Sequence, residues 1–212
     1  MEPASGNPLP EGFVSFIPAA GKILDAGCYV NSVLFALQDP CKWEFVASDF
    51  QGGLKQALRA QAASRLSDLE WEKFIRRTEI LEGENGDIRN FEFAENTFAA
   101  VIARDVLHFI TAAERKTFVA RAMESLAPGG ILLIRLHRKG NPVLENRRIW
   151  KNIQPDEYQQ VEEPFGRCFP ATLNEIRELS SGFQVIAEFS EFDDGYFFEI
   201  CLSKPAKMKS GI

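Results

Sequence analysis

The chain has 212 residues, of which 45% are hydrophobic and 25% are charged, and its formal net charge at pH 7 is −6. This length suits one domain and is too short for two ordinary ones, while no apolar run approaches the roughly 20 residues of a membrane-spanning helix. The acidic balance disfavours a sequence-independent grip on nucleic-acid phosphates, so we expect neither a membrane span nor a nucleic-acid partner.

The two ends of the chain lack a periodic apolar pattern. Residues 1–11 are predicted to form a flexible arm, residues 206–212 a flexible tail, and residues 12–205 the folded domain. The arm has no basic region followed by an apolar core, so we expect no secretory signal and a cytoplasmic location. The four cysteines lie far apart without CxxC spacing, which indicates reduced thiols and no metal site.

Short solid apolar runs alternate with segments of helical spacing, a pattern typical of parallel strands joined by helices. The first run, GKILDAGC, predicts a strand, and a helix is expected to begin over residues 31–37. Further strands are predicted in WEFVASD, TEILEG and FAAVIARD. A helix is expected from about 51 to 65, continued by the stretch from Ser67, which stands in capping-box spacing with Glu70.

The clearest helix follows the fourth strand. Thr111 can cap it, Glu114 stands three residues later, and the Pro-Gly-Gly sequence at 128–130 is expected to stop it. A fifth strand, ILLIRL, comes next. The polar stretch 137–170 breaks the pattern and is predicted to be an insertion that forms a partly helical lid.

The C-terminal part restores the alternation. A helix is predicted near residues 171–179, and two strands follow in FQVIAEFSEF and YFFEICLSK. The Asp-Asp-Gly sequence at 193–195 between them predicts an antiparallel hairpin. The fold class is therefore α/β: a Rossmann-like, seven-stranded, mostly parallel sheet with an antiparallel C-terminal hairpin strand and helices on both faces.

Acidic residues stand at strand ends, where open parallel sheets bind their ligands. Asp25 and Asp49 end the first two strands, and Asp87 follows the third. The spacing of 24 residues between Asp25 and Asp49 suits a strand, helix, strand unit whose second carboxylate accepts hydrogen bonds from both ribose hydroxyls. The alternative is that each carboxylate only caps the helix that follows it.

Five stretches occur in an order that resembles the successive motifs of class I S-adenosylmethionine-dependent methyltransferases: KILDAGC, VASD, GDI, FAAVIARDVLHF and LAPGGILLIRL. The similarity extends to about Lys204 and is greatest to small single-domain members of the tellurite-resistance and small-molecule type. It implies an enzyme with S-adenosyl-L-methionine as cofactor and a small-molecule acceptor. We expect a monomer or homodimer.

The resemblance also implies a cofactor site. Its residues are Asp25, Ala26, Gly27 and Tyr29 at the methionine portion, Asp49 at the ribose, Phe50, Asp87 and Ile88 at the adenine, and Ala103 and Arg104 at the sulfonium. Asp105 and His108 after the fourth strand, and His137 after the fifth, are the candidates for a catalytic base that takes a proton from the acceptor, and the position of Asp105 favours it. Their alternatives are structural, since Asp105 could cap a helix from Val106 and His108 could be a packing residue.

The glycine turn departs from the family pattern. Where the family has GxGxG, this chain has Gly27, Tyr29 and Asn31, so only the first glycine remains. Tyr29 either swings aside and lines the methionine pocket or fills it and abolishes binding. The second outcome would make the protein a catalytically inactive, methyltransferase-like binding or regulatory protein. An NAD-dependent oxidoreductase is a weaker alternative, because this turn offers no room for a pyrophosphate.

Overall fold

A seven-stranded sheet forms the centre of the computed structural model, which describes residues 9–29, 32–37, 43–90, 92–139, 144, 150–154, 157–160, 167–188 and 197–205. The strands are β1 (Gly21–Ala26), β2 (Trp43–Asp49), β3 (Thr78–Glu82), β4 (Phe98–Arg104), β5 (Leu126–His137), β9 (Gln184–Glu188) and β10 (Phe197–Ser203). Their order is β3-β2-β1-β4-β5-β10-β9, and β10 runs antiparallel to both of its neighbours. This confirms the predicted fold class. The predicted turn at 193–195 lies outside the described residues.

Helices cover the sheet: α1 (Phe13–Phe16), α2 (Leu54–Ala62), α3 (Asp68–Ile75), α4 (Ala112–Ser125) and α5 (Leu173–Leu179). The capping boxes predicted at Ser67 and Thr111 are both present, each with its glutamate three residues later. The prediction of one continuous helix through residue 67 is wrong, because the Ser67 cap begins a separate helix. No helix in the described part of the chain is long and apolar enough to cross a membrane.

The helix predicted over residues 31–37 is reduced to a single 3-10 turn at Leu34–Ala36 within the described residues. The carboxylate of Asp25 accepts a hydrogen bond from the backbone N–H of Val33, and this fixes the start of the turn. Leu37 is already extended, with ψ of 103°. Pro40 stands three residues further on and disfavours helical backbone before it.

Two further predicted elements differ from the structure. In place of a partly helical lid, the described part of 137–170 holds three antiparallel strands, β6 (Trp150–Gln154), β7 (Glu157–Gln160) and β8 (Arg167–Cys168). The sequence Pro155-Asp156 between β6 and β7 is typical of a turn, which favours a hairpin. The Pro-Gly-Gly sequence does not stop α4, because the helix ends at Ser125 and Leu126 already pairs with β4.

Each face of the sheet carries its own hydrophobic cluster. Adjacent residues of β1 show this, because Leu24 belongs to the first cluster and Ile23 to the second, and both are fully buried. The first cluster includes buried residues of α4 and α5, and the second includes buried residues of α1, α2 and α3. Strands that are buried on both faces have uninterrupted apolar sequences, and this pattern explains why the central strands could be predicted from the sequence.

A buried arginine joins the helices of one face to the loop after β4. Arg115 of α4 is only 1% exposed, and its Nε donates to Glu175 of α5 at 2.6 Å. Its Nη1 donates to the carbonyls of Leu107, Ile110 and Phe169, at 3.1, 2.8 and 2.8 Å. Arg115 therefore fixes the loop after β4, the end of the insertion and the start of α5 relative to one another.

Replacing Arg115 with Met should lower the free energy of unfolding by about 3 kcal/mol or more, because it leaves the half-buried carboxylate of Glu175 and three backbone carbonyls without their donor. The matched control is Arg76→Met, which removes an exposed ion pair with Glu72 and should cost about 0.5 kcal/mol or less. Urea denaturation measures both variants. Equal losses would contradict the assigned role of Arg115.

Candidate functional site

The carboxyl ends of β1, β2 and β4 bring the predicted residues to one edge of the sheet, which we call the carboxyl edge. Asp25 pairs in register with Ala47 of β2 and Ile102 of β4. Asp49 and Arg104 lie two residues further along these strands, so the side chains of Asp25, Asp49 and Arg104 project from the same face of the sheet. The side chains of Ala26, Ile88 and Ala103 instead lie in the first hydrophobic cluster, where they support the edge.

The first glycine of the turn is required by its surroundings. Gly27 has φ of +70°, and a Cβ at this position would come within 2.2 Å of the Val106 side chain. The N–H groups of Gly27 and Cys28 both donate to the carbonyl of Ser48, at 2.7 and 3.1 Å. The turn is therefore held against β2 and pressed by the loop after β4, and a side chain at residue 27 does not fit.

Tyr29 is half-buried and packs against the second hydrophobic cluster. Its N–H donates to Oδ2 of Asp49 at 3.3 Å, and its carbonyl accepts a hydrogen bond of 2.7 Å from the Gln61 side chain of α2. The same Gln61 amide accepts from the N–H of Ser32 at 3.0 Å. Sequence reasoning missed Gln61, because nothing in the pattern of α2 separates it from other polar residues of that helix.

Asp49 and Phe50 suit the roles that the sequence predicted for them. Oδ1 of Asp49 accepts from the N–H of Gln51 at 2.9 Å, and Oδ2 accepts from Tyr29. Each carboxylate oxygen has about two acceptor positions, so one position per oxygen remains for a pair of ribose hydroxyls. Burial raises the pKa of Asp49. Asp49 does not cap α2, whose N-cap is Gly53, and the Phe50 side chain beside it is 58% exposed.

Asp87 lies close to Asp49 but is held by a neighbour. A Cβ on Gly86 would lie 2.1 Å from the carbonyl of Asp49, which shows how closely the two loops pack. Both oxygens of Asp87 accept from the Arg89 guanidinium, at 2.5 to 3.0 Å. Burial raises the pKa of Asp87, but the hydrogen bonds and charge of Arg89 outweigh it and leave the pKa lowered. Arg89 must therefore move before Asp87 can accept from an adenine amine.

The positive charge of Arg104 is balanced within the protein. Its Nε contacts Oε1 of Glu199 on β10 at 2.7 Å, and both side chains are buried. Arg135 of β5 lies between them in register and pairs with Asp105 at 3.2 Å. Asp105 has φ of +58°, and the 3-10 turn Leu107–Phe109 after it has no side-chain cap, so the capping alternative for Asp105 is not observed.

His108 lies beneath this edge, 3% exposed, and its backbone carbonyl accepts from Phe169. Its Nδ1 is buried and has no hydrogen-bond partner within the described part of the chain. Burial, together with the charge of neighbouring cations, lowers the pKa of His108 well below its ordinary value and that of His137 to about 4. Both imidazoles are therefore neutral at pH 7.

Asp25 is also buried, and its Oδ2 accepts from Ser32 Oγ at 2.8 Å as well as from Val33. The alternative that Asp25 caps the following helix is therefore partly correct, because Asp25 binds the N–H of Val33, the N-cap residue of the 3-10 turn. Burial raises the pKa of Asp25 from 3.8 to about 6. The folded protein thus binds this proton more tightly than the unfolded chain does.

The raised pKa of Asp25 predicts a pH dependence of stability. Between pH 7 and pH 5 this residue should add about 1 kcal/mol to the free energy of unfolding, because the folded state takes up a proton that the unfolded state does not. Asp25→Asn keeps an oxygen for Ser32 and Val33 but removes this titration. Urea denaturation at pH 7, 6 and 5 measures the free energy of unfolding of both proteins. This free energy should rise toward pH 5 by about 1 kcal/mol more in the natural chain than in Asp25→Asn, and parallel pH profiles would exclude the raised pKa of Asp25.

The contact at Gly27 predicts a second result. Gly27→Ala should cost about 1 to 3 kcal/mol more than Gly129→Ala, because both positions have positive φ but only residue 27 has a side chain in the way. A Cβ at Gly129 would meet nothing within 4 Å. Thermal unfolding of the two variants measures the difference, and equal melting temperatures would show that Val106 yields freely.

Comparisons with known proteins agree with this fold. Residues 24–134, just over half of the chain, match the model of a family described as a methyltransferase domain. No curated protein sequence matches the chain.

Solved structures share the fold at low sequence identity. The PH0226 protein of Pyrococcus horikoshii is 21% identical with a TM-score of 0.65, over 87% of this chain and 82% of that one. A SAM-dependent methyltransferase of Methanosarcina mazei is 15% identical with a TM-score of 0.67, over 95% and 100%. The glycopeptide N-methyltransferase MtfA, complexed with S-adenosyl-L-methionine, is 20% identical with a TM-score of 0.58, over 89% of each chain.

Proposed function

The chain belongs to the methyltransferase domain family, with the class I fold and S-adenosylmethionine as cofactor, and on this premise we propose that it methylates a small molecule bound beyond β4 and β5. The observation that carries the proposal is the environment of Asp49. Its carboxylate keeps one acceptor position on each oxygen, as a pair of ribose hydroxyls requires, and the exposed ring of Phe50 stands next to it.

The remaining contacts follow from the shape of the edge. The backbone at Gly27 faces the methionine portion, because the absence of a Cβ allows close approach. Tyr29 turns its ring to the second hydrophobic cluster, which supports the outcome in which the turn stays open to the cofactor. Arg104 does not repel the positive sulfonium, because the charge of Glu199 compensates it.

When bound, S-adenosylmethionine supplies a methyl carbon that bonds to the acceptor's lone pair while the electron pair of the broken carbon–sulfur bond stays on sulfur. The protein's main task is to hold the acceptor in line with that carbon. Where the acceptor must lose a proton, the half-buried His137 is neutral at pH 7 and has a lone pair to accept it, but its lowered pKa of about 4 makes it a weak base, and His108 is buried. Asp105 is tied to Arg135 and is the weaker candidate.

Calorimetry with S-adenosylhomocysteine tests the proposal. The natural chain should bind it, and Asp49→Asn should weaken binding by about tenfold or more, because hydrogen bonds to a charged acceptor are lost. The matched control is Asp68→Asn, an exposed carboxylate of α3, which should leave the affinity unchanged. Similar affinities for the natural chain and Asp49→Asn would exclude the assigned ribose contact.

The same titration decides whether the protein is an inactive relative of these enzymes. If the natural chain does not bind S-adenosylhomocysteine at millimolar concentration while Tyr29→Gly/Asn31→Gly does, the glycine turn has closed the site. The protein is then a binding or regulatory protein, and the proposed activity is wrong.

A further inference from the structure

Four aromatic side chains form a continuous row at the carboxyl edge. The ring centroids of Phe109 and His108 are 4.2 Å apart, those of His108 and His137 are 4.3 Å apart, and those of His137 and Phe197 are 4.6 Å apart. We call Phe109, His108, His137 and Phe197 the aromatic row. Three of its members reach the surface, since Phe109 is 41% exposed and both His137 and Phe197 are half-buried.

The row joins three elements beyond β4. Phe109 lies in the 3-10 turn after β4, His137 ends β5, and Phe197 begins β10 directly opposite His137 in register. The backbone of the row is fixed, because Phe169 donates to the carbonyl of His108 at 2.7 Å. Aromatic rings that are held in this way can bind a ligand without losing much freedom of their own.

One turn of backbone connects the aromatic row to the residue that packs on the glycine turn. The N–H of Phe109 donates to the carbonyl of Val106 at 3.0 Å, so a single turn of backbone separates the two residues. The Val106 side chain packs on Gly27. The exposed Phe109 is therefore only three residues along the chain from the residue that touches the glycine turn.

The charges around the row are already compensated. The guanidinium of Arg135 lies 4.1 Å from the ring centre of Phe197 and pairs with Asp105. Arg104 pairs with Glu199 on the same face. The two histidines are neutral at pH 7, so within the described part of the chain these groups present ring faces without a net charge to attract a carboxylate or an ammonium group.

We propose that the aromatic row binds the methyl acceptor and that this acceptor is an uncharged aromatic molecule. The inference rests on the proposed function, because it assigns the acceptor to the same edge. An aromatic ring packs on the exposed ring of Phe109 and on the accessible parts of the half-buried His137 and Phe197, in an offset or edge-to-face arrangement that adds affinity beyond the area buried. A saturated ring of the same size lacks this contribution, and an anionic ring finds both arginines of the edge engaged with carboxylates.

Ligand-observed NMR titrations with phenol, cyclohexanol and benzoate test the proposal, on the natural chain with and without S-adenosylhomocysteine. Phenol should bind about five- to tenfold more tightly than cyclohexanol, and also more tightly than benzoate. Phe109→Leu and Phe197→Leu should each remove most of the preference for phenol over cyclohexanol. The matched control is Phe16→Leu, an exposed phenylalanine of α1, which should leave the preference unchanged.

Equal affinities for phenol and cyclohexanol, tighter binding of benzoate, or an unchanged preference in both row variants would each overturn the proposal. Calorimetry with S-adenosylhomocysteine on the same samples separates the two hypotheses. If that ligand binds and phenol shows no preference, the acceptor assignment is wrong and the methyltransferase proposal stands. If phenol binds selectively and S-adenosylhomocysteine does not bind, the row is a ligand site and the methyltransferase proposal is wrong.

Discussion

The contact between Val106 and Gly27 links the two halves of the candidate site. A glycine with φ of +70° lets the turn after β1 bend back toward β2, and the same missing side chain makes room for the loop after β4. The glycine turn, which we propose to hold the cofactor, and the loop that leads to the aromatic row therefore share one tightly packed point. A displacement of either loop is transmitted to the other, because packed interiors leave little free volume.

The family's second and third glycines are missing, and other residues fix the turn in their place. Gln61 bridges the carbonyl of Tyr29 and the N–H of Ser32, while Asp25 holds Ser32 and Val33. These contacts come from side chains on α2 and β1 that reach over the turn. They hold the turn in position although the described residues after it form only a 3-10 turn.

Buried charge shapes the other half of the site. Arg104 pairs with Glu199 and Arg135 with Asp105, so a row of ionised groups crosses β4, β5 and β10 without a net positive charge. Breaking a buried pair leaves an uncompensated charge, which is far more costly than removing an exposed one. This arrangement would allow the two arginines to lie beside the positively charged sulfonium at the proposed cofactor site.

Local sequence signals predicted the seven strands of the main sheet, both capping boxes and the acidic residues at the strand ends, because each depends on residues close together in the chain. Asp49 and Phe50 lie where their position at the end of β2 predicted. The pairing of Asp87 with Arg89 was missed although the two residues are only two positions apart, since the sequence does not tell which way a side chain turns. The insertion was wrongly predicted to be partly helical, because its polar residues carry little periodic signal.

The sequence by itself determined the strand and helix order of the main sheet, the edge where the candidate site lies and the loss of two glycines from the turn. Only the tertiary structure decided where the Tyr29 ring goes, which carboxylates are already paired and which rings form the aromatic row. The physical reason is distance along the chain. Arg104 and Glu199 are 95 residues apart and His137 and Phe197 are 60 apart, so their contacts depend on the pairing of β4, β5 and β10 rather than on any local pattern.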